Sequence, residues 1–202
     1  MKTGIFGGSF NPIHKGHIAL ASALLRQAHL DEIWFVVSPQ NPLKQDQRLM
    51  DDDVRLQIVR KALARSSRLV ASDYEFHLPR PSYMHTTLTR MSEEFPDREF
   101  TLIIGGDNWE HFDRWYKSQE IIDRFAIAVY PRAGSQIDRS QLPPTVSVFD
   151  VPLLDVSSTE IRRRIAQGLP IADLVPRSVE RMILRYYSAL SIDVKNSHHG
   201  NS

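Results

Sequence analysis

The chain has 202 residues, enough for one domain with its own core, and its 42% hydrophobic and 24% charged residues are typical of a soluble globular protein. The formal net charge of +1 argues against a nucleic-acid binder, which usually carries a clustered basic excess. Because the chain has no cysteine, disulfides, thiolate catalysis and cysteine-ligated zinc are excluded.

Neither a targeting segment nor a membrane span is evident from the residue pattern. Gly4, Gly7 and Gly8 stand where the apolar core of a signal peptide would lie. No apolar run reaches the roughly 20 residues that a bilayer requires. We therefore expect a cytoplasmic protein without a membrane or nucleic-acid partner.

Short apolar runs alternate with helical patterns along the chain. In chain order, the patterns predict strand Thr3–Gly7, helix His17–Ala28, strand Ile33–Val37, helix Asp51–Ala64, strand Leu69–Ser72, helix Tyr83–Phe95, strand Phe100–Ile104, helix Ser118–Arg124, strand Ala126–Tyr130, strand Val146–Val151, helix Ser158–Gln167 and helix Ser178–Leu190. Residues 191–202 are polar, and we expect them to form a loose tail.

Strands that are apolar throughout and separated by helices indicate a parallel sheet covered on both faces. We therefore predict an α/β fold, a doubly wound parallel sheet in a single domain over residues 1–190, closed by two C-terminal helices. Ligands in such a sheet bind beyond the carboxyl ends of the strands. This rule directs attention to four segments, namely Gly7–His17, Ser38–Lys44, Gly105–Trp115 and Val156–Arg162.

The first of these segments combines glycines with two histidines at a helix start. Gly7 and Gly8 let the backbone approach a ligand and point amides at it, and a helix N-terminus favours phosphate. His14 and His17 are spaced to share one helix face, so both imidazoles can donate to one polyphosphate. The same pair could also bind a metal with a third ligand, or simply cap a surface helix.

Residues Gly7–His17 closely resemble the signature of the nucleotidyltransferase superfamily, and the longer stretch Gly4–His17 resembles the nicotinate mononucleotide adenylyltransferases. The resemblance implies a Rossmann-like nucleotidyltransferase fold, and contacts of His14 and His17 with ATP phosphates, with His17 acting at the transition state. It also implies an ATP-binding loop made of Gly7, Gly8, Ser9 and Phe10. Ser9 and Asn11 stand where the family often has Thr and Asp.

A second motif begins the helix predicted at Ser158. Ser157 with Glu160 forms a capping box, which explains these two residues fully. It does not explain Ser158, Thr159 and Arg162, whose hydroxyls and guanidinium would make a second phosphate cradle. This block resembles the second motif of the superfamily, which implies that the three residues hold the β and γ phosphates, with Arg162 in a catalytic role.

Further segments resemble the pyridine-nucleotide branch of the family. Gly105 and Asp107, which we assign to ATP binding, end a strand at the ligand edge, where a carboxylate can accept from ribose hydroxyls. Trp115 matches a tryptophan that stacks on the nicotinate ring, through an exposed flat face. From the residues alone, a turn at Asp107 and a core position for Trp115 would also be reasonable. Trp34 and Trp109 are assigned to packing.

The remaining matches to this branch concern the mononucleotide. Lys44 is kept as a phosphate contact, and Tyr83 lies in a segment that usually reads Ser-Tyr-Thr. Met84 replaces the threonine that would help to hold the nicotinate carboxylate, so the preference for acid or amide stays open. Arg132 matches the arginine of a family Arg-Pro-Gly, with Ala133 in place of the proline.

These matches predict transfer of AMP from ATP to nicotinate mononucleotide, with pyrophosphate released. The acceptor phosphate has a second pKa of about 6, so it is already mostly dianionic and needs no general base. Catalysis would rest on positioning and charge neutralisation, with positive potential from the helix starts and from His14, His17, Lys44 and Arg162. Mg²⁺ would arrive on the ATP phosphates without protein ligands.

Three alternatives remain from the sequence. The acceptor could be nicotinamide mononucleotide, or another phosphorylated molecule such as phosphopantetheine or a polyol phosphate. The chain could instead be a nucleotide-binding regulator without turnover. Trp115 and Asp107 favour a pyridine acceptor, and the histidines with Arg162 favour an enzyme over a regulator. Whether the protein forms a homo-oligomer is left open.

Overall fold

A computed structural model describes residues 1–39, 49–132 and 134–197, with side chains up to Ser188. In chain order its elements are β1 (Lys2–Gly8), α1 (Lys15–Gln27), β2 (Glu32–Val37), α2 (Asp52–Leu63), β3 (Leu69–Ser72), α3 (Met84–Glu94), β4 (Glu99–Gly105), α4 (Gly106–Trp109), α5 (Ser118–Arg124), β5 (Ala126–Tyr130), β6 (Val146–Val148), α6 (Ser158–Ala166) and α7 (Arg177–Ser197). Short 3-10 turns lie at Tyr74–His77, Phe112–Arg114 and Arg139–Gln141.

The strands form one sheet in the order β3-β2-β1-β4-β5-β6, and every pair in it is parallel. The predicted doubly wound α/β fold is therefore confirmed. The chain winds outward from β1 in one direction and then from β4 in the other. The switch point thus lies between β1 and β4, which end at Gly8 and Gly105.

Consecutive residues of each strand face opposite sides of the sheet and enter two separate cores. On β4, Ile103 faces the core under α1, α2, α6 and α7, while Leu102 and Ile104 face the core under α3 and α5. Since both faces are covered, apolar residues fill the strand centres without alternation, as the sequence pattern indicated.

Most predicted elements agree with the structure to within one or two residues, and three differences are larger. The last strand ends at Val148 instead of Val151, since the chain leaves the sheet ahead of Pro152, which has no N–H to donate. The last helix continues past Leu190 to Ser197, because no glycine or proline interrupts it. The short helix α4 was not predicted, because Gly105-Gly106 reads as a turn.

No helix in the described ranges combines the length and the apolar character needed to cross a bilayer. The cytoplasmic location and the division of the chain near residue 190 stay predictions from the sequence.

Candidate active site

Two segments far apart in the sequence meet at the carboxyl edge of the sheet. The Ser158 hydroxyl donates to the Pro12 carbonyl at 2.9 Å, across 146 residues of chain. The Arg162 guanidinium donates to the Asn11 carbonyl at 2.8 Å. These bonds bring the first turn of α6 beside the loop that opens α1, so the two predicted phosphate-binding motifs lie side by side.

The first loop is also held by Arg55 on α2, a residue that we did not predict for the site. Its side chain is fully buried, and Nη1 donates to the carbonyls of Ser9 and Ser38 at 2.6 and 2.9 Å. Nε donates to the Met50 carbonyl at 2.9 Å, and Nη2 pairs with the Asp52 carboxylate at 2.6 Å. Its pairing with Asp52, three residues earlier on the helix, was the only signal in the sequence.

Phe10 contributes to the first loop through its backbone and not through its ring. Its φ of 43° lies in the left-handed region, which costs an ordinary residue about 1–3 kcal/mol. The ring is buried against Phe6, Phe35 and His17, and this burial offsets the strain. A Cβ added to Gly8 would lie only 3.1 Å from the Phe10 ring, so a glycine fits best there.

His14 and His17 form a reciprocal cap at the start of α1. The Nδ1 atom of His14 accepts from the His17 N–H at 3.4 Å, and Nδ1 of His17 accepts from the His14 N–H at 3.2 Å. The two rings stack with centroids 3.6 Å apart. A neutral imidazole carries its proton on the nitrogen that does not accept, so Nε2 is the donor in both rings. The cap therefore prepares two donors instead of competing with phosphate binding.

Both imidazoles lose basicity in this environment. Burial, followed by the charge of Arg132, lowers the pKa of His14 to about 4. Burial lowers the pKa of His17 well below its usual range, and the neighbouring His14 and Arg132 lower it further. We expected positive potential from these two side chains, but before a ligand binds they are neutral hydrogen-bond donors.

Arg132, which we predicted to contact the mononucleotide, lies over the end of β4 beside Asp107. Its Nη1 is 3.3 Å from Asp107 Oδ2, and its charge reaches both histidines, as their lowered pKa values indicate. A Cβ added to Gly105 would lie 2.4 Å from the Asp107 carboxylate and 2.8 Å from the Arg132 side chain. A glycine at the end of β4 is therefore required for this pair to sit over the strand end.

The cap of α6 differs from the predicted capping box. The Ser157 hydroxyl accepts from the Glu160 N–H at 3.1 Å, which is one half of such a box. The Glu160 carboxylate does not reach back, because it bonds to Arg163 and Arg164, which lower its pKa to about 2. Thr159 lies one turn before Arg162, and its hydroxyl accepts from Arg162 Nη2 at 3.1 Å.

A cleft of about 180 Å³ extends from the ends of β1 and β4 toward the start of α3. Tyr83 and Tyr116 lie at its exposed mouth, with ring centroids 4.9 Å apart. Met84 lies deeper, because a Cβ added to Gly7 would be only 2.7 Å from the Met84 methyl group. The thioether thus covers Gly7 and offers no hydrogen-bond donor to a ligand.

Trp115 lines the same cleft, but it is half-buried and not exposed as we expected. Its ring packs on Phe112 at a centroid distance of 5.0 Å. Trp115 Nε1 is the one buried side-chain nitrogen or oxygen of the described residues without a hydrogen-bond partner. Trp109 stacks on Phe112, and Trp34 meets Phe95 edge to face, in agreement with their assignment to packing.

Lys44 and Ala133 lie outside the described residues. Within the described ranges, no group of three or more His, Asp and Glu side chains lies close enough together to hold a metal ion. The predicted ligand roles of the other site residues stay predictions, although the structure brings most of those residues to one edge of the sheet.

Comparison with known proteins agrees with this geometry. Residues 5–164 match the model of the cytidylyltransferase-like family. A Bacteroides fragilis protein named "Probable nicotinate-nucleotide adenylyltransferase" is 50% identical over 98% of both chains, and one of the same name from Bacteroides thetaiotaomicron is 52% identical over 92% of both. A solved structure of Plasmodium falciparum nicotinic acid mononucleotide adenylyltransferase, complexed with NaAD, has a TM-score of 0.78 at 22% identity, over 92% of this chain and 95% of its own.

The buried Arg55 gives a prediction about stability. Arg55→Met removes the guanidinium that donates to three carbonyls and to the Asp52 carboxylate, which among the described residues keeps only its exposed partner Arg80, so we expect a loss of about 3–5 kcal/mol in the free energy of unfolding. Urea unfolding measures this loss. The matched control is Arg60→Met on the same helix, where an exposed pair with Asp73 should contribute less than about 1 kcal/mol. Equal losses in the two variants would contradict the assigned role of Arg55.

The histidine cap gives a prediction about pH. In the ligand-free protein His14 should stay neutral down to a pH of about 4, whereas the unfolded chain takes up the proton near 6.5. The free energy of unfolding should therefore fall as the pH drops from 6.5 toward 4, and His14→Asn should reduce this slope. NMR titration of the ring protons measures the midpoint directly, and a midpoint for His14 at its usual value would refute the prediction.

Proposed function

Since the chain belongs to the cytidylyltransferase-like family, and within it to the nicotinate-nucleotide adenylyltransferases, we propose that it joins AMP from ATP to nicotinate mononucleotide. The products are nicotinate adenine dinucleotide (deamido-NAD) and pyrophosphate, and the reaction is a step of NAD biosynthesis. Nicotinamide mononucleotide, with a carboxamide in place of the carboxylate, is the competing acceptor.

The junction between the two motifs carries this proposal. Ser158 and Arg162 bond to the loop that starts α1, so two helix N-termini and the paired imidazoles lie together at the switch point of the sheet. Helix N-termini and amide-rich loops favour phosphate groups. A triphosphate in this place would lie next to a cleft that holds Trp115, which suits a pyridine ring.

The reaction we propose is a direct displacement at the α-phosphorus of ATP. An oxygen of the mononucleotide phosphate forms the new P–O bond, and the bond between the α-phosphorus and the bridging oxygen breaks as pyrophosphate leaves. No side chain has to remove a proton, because the attacking phosphate is already a dianion. The barrier is the repulsion between two anions, so the protein contributes position and charge.

The residues of the site divide this work between neutral and charged donors. His14 and His17 offer Nε2–H groups, whose hydrogen bonds strengthen as negative charge grows on the leaving phosphates. Arg162 uses two of its nitrogens on Asn11 and Thr159, and within the described ranges its other N–H groups form no hydrogen bond that would compete with phosphate oxygens. Arg132 adds a second guanidinium on the same side.

Mg²⁺ fits this site as a companion of ATP and not as an ion in a protein cage. Asp107, an acidic side chain at the strand end, is paired with Arg132, and the described residues offer no cluster of metal-binding side chains. Phosphate oxygens and water are ligands that Mg²⁺ accepts readily. When bound, the ion neutralises charge on the triphosphate.

Pyrophosphate release tests the function directly. With ATP and Mg²⁺ present, we expect release with nicotinate mononucleotide, and none with phosphopantetheine or a polyol phosphate. Chromatography should identify the dinucleotide product in the first reaction. A folded sample that releases no pyrophosphate with any acceptor would contradict an enzymatic role and favour a nucleotide-binding regulator.

His17→Asn tests the donor assigned to the transition state. Asparagine keeps an acceptor near the position of Nδ1 for the His14 N–H, and it removes the Nε2–H donor. We expect kcat to fall about a hundredfold while the KM for ATP changes much less. The control is His29→Asn, an exposed histidine beyond the other end of α1, in the left-handed conformation that asparagine tolerates. An unchanged kcat in His17→Asn would remove this residue from the mechanism.

A further inference from the structure

Two side chains of opposite charge line the cleft beside the candidate phosphate site. Of the described residues that line it, Arg114 is the only cation and Glu75 the only anion. Arg114 ends the 3-10 turn at Phe112–Arg114, directly before Trp115. Its side chain is exposed, and no carboxylate within the described ranges forms an ion pair with its guanidinium. Lys117 nearby is already paired with Glu120 at 2.9 Å.

Glu75 does not neutralise Arg114, because its carboxylate is already occupied. Its side chain is buried, and its two oxygens accept from the hydroxyls of Ser82 at 3.0 Å and Thr87 at 2.8 Å. A second carboxylate placed near Glu75 would be repelled by it. The inner part of the cleft thus disfavours a negative group, and the rim at Arg114 favours one.

The other side chains of the cleft do not distinguish a carboxylate from a carboxamide, so among the side chains the charge of Arg114 would make this distinction. The Met84 side chain packs on Gly7 and has no donor for a carboxylate. Tyr83 and Tyr116 are neutral and can hydrogen-bond an amide as well as an acid. The two candidate mononucleotides have the same phosphate, ribose and pyridinium, so a charged side chain near the ring substituent would separate them.

We propose that Arg114 is the residue that makes this enzyme prefer nicotinate mononucleotide over nicotinamide mononucleotide. With the pyridine ring against Trp115, the ring carboxylate turns toward the Arg114 guanidinium and away from Glu75. A carboxylate gains a charge-assisted hydrogen bond there, and a carboxamide gains only a weaker neutral one. This inference rests on the proposed function for the identity of the two ligands, but the preference itself can be measured without turnover.

Calorimetric titration of each mononucleotide into the protein, followed by kcat/KM for each, tests the proposal. The wild type should bind the acid more tightly than the amide. Arg114→Gln should reduce that ratio about tenfold, the effect of one partly exposed charged hydrogen bond, and mainly by weakening the acid. Arg114→Lys, which keeps the charge, should recover part of the ratio. Arg65→Gln, which removes an exposed charge at the end of α2, should leave the ratio unchanged.

The outcomes separate this inference from the proposed function. Acid preference that is lost in Arg114→Gln, in a protein that never releases pyrophosphate, would support the role of Arg114 and refute the enzymatic function. If the protein turns over nicotinate mononucleotide but Arg114→Gln leaves the acid-to-amide ratio unchanged, the enzymatic function would be supported and the role of Arg114 refuted. Equal weakening of both ligands would mean that Arg114 holds the shared phosphate, and a wild type that binds neither ligand or prefers the amide would also overturn the inference.

Discussion

The candidate site depends on how the carbonyl groups of its first loop are held. The carbonyls of Ser9, Asn11 and Pro12 all accept hydrogen bonds from side chains of α2 and α6. In a planar trans peptide the C=O and the N–H point in opposite directions, so a fixed Ser9 carbonyl turns the next amide the other way. A polyphosphate is attracted by amides and repelled by carbonyl oxygens, so the bonds to the Ser9 and Pro12 carbonyls prepare the amides that follow them for an anion before one binds. The Asn11 carbonyl has no such effect, because its peptide with Pro12 is cis and carries no N–H.

Local patterns were sufficient to predict the fold and the two motifs. Apolar runs and helical spacing are properties of neighbouring residues, and residues such as His14 and Arg162 are recognised by type and spacing. The hydrogen bonds with which Arg55 holds the first loop were not predictable in this way. Three of its four partners are backbone carbonyls, at separations of 5, 17 and 46 residues. Every residue type has the same backbone carbonyl, so the sequence does not show which carbonyls will accept.

The charge state of the histidines was missed for a related reason. The low pKa of His14 results from burial and from the guanidinium of Arg132, which lies on a strand end more than a hundred residues away. Neither factor exists in a short window of sequence. The exposure of Trp115 was likewise misjudged, since it depends on packing against Phe112. The residue types at a site can therefore be predicted from the sequence, whereas their protonation and burial require the packed structure.

The two substrates would meet where β1 and β4 end, and glycines keep that place open. A Cβ at Gly7 would collide with Met84, and one at Gly105 would collide with Asp107 and Arg132. Met84 lines the cleft, whereas Arg132 pairs with Asp107, so a different set of side chains lies against the bare backbone at each of the two strand ends. In the mechanism we propose, two anions would react between these strand ends without a side chain that takes a proton, because the protein's contribution would be the placement of donors around the phosphorus.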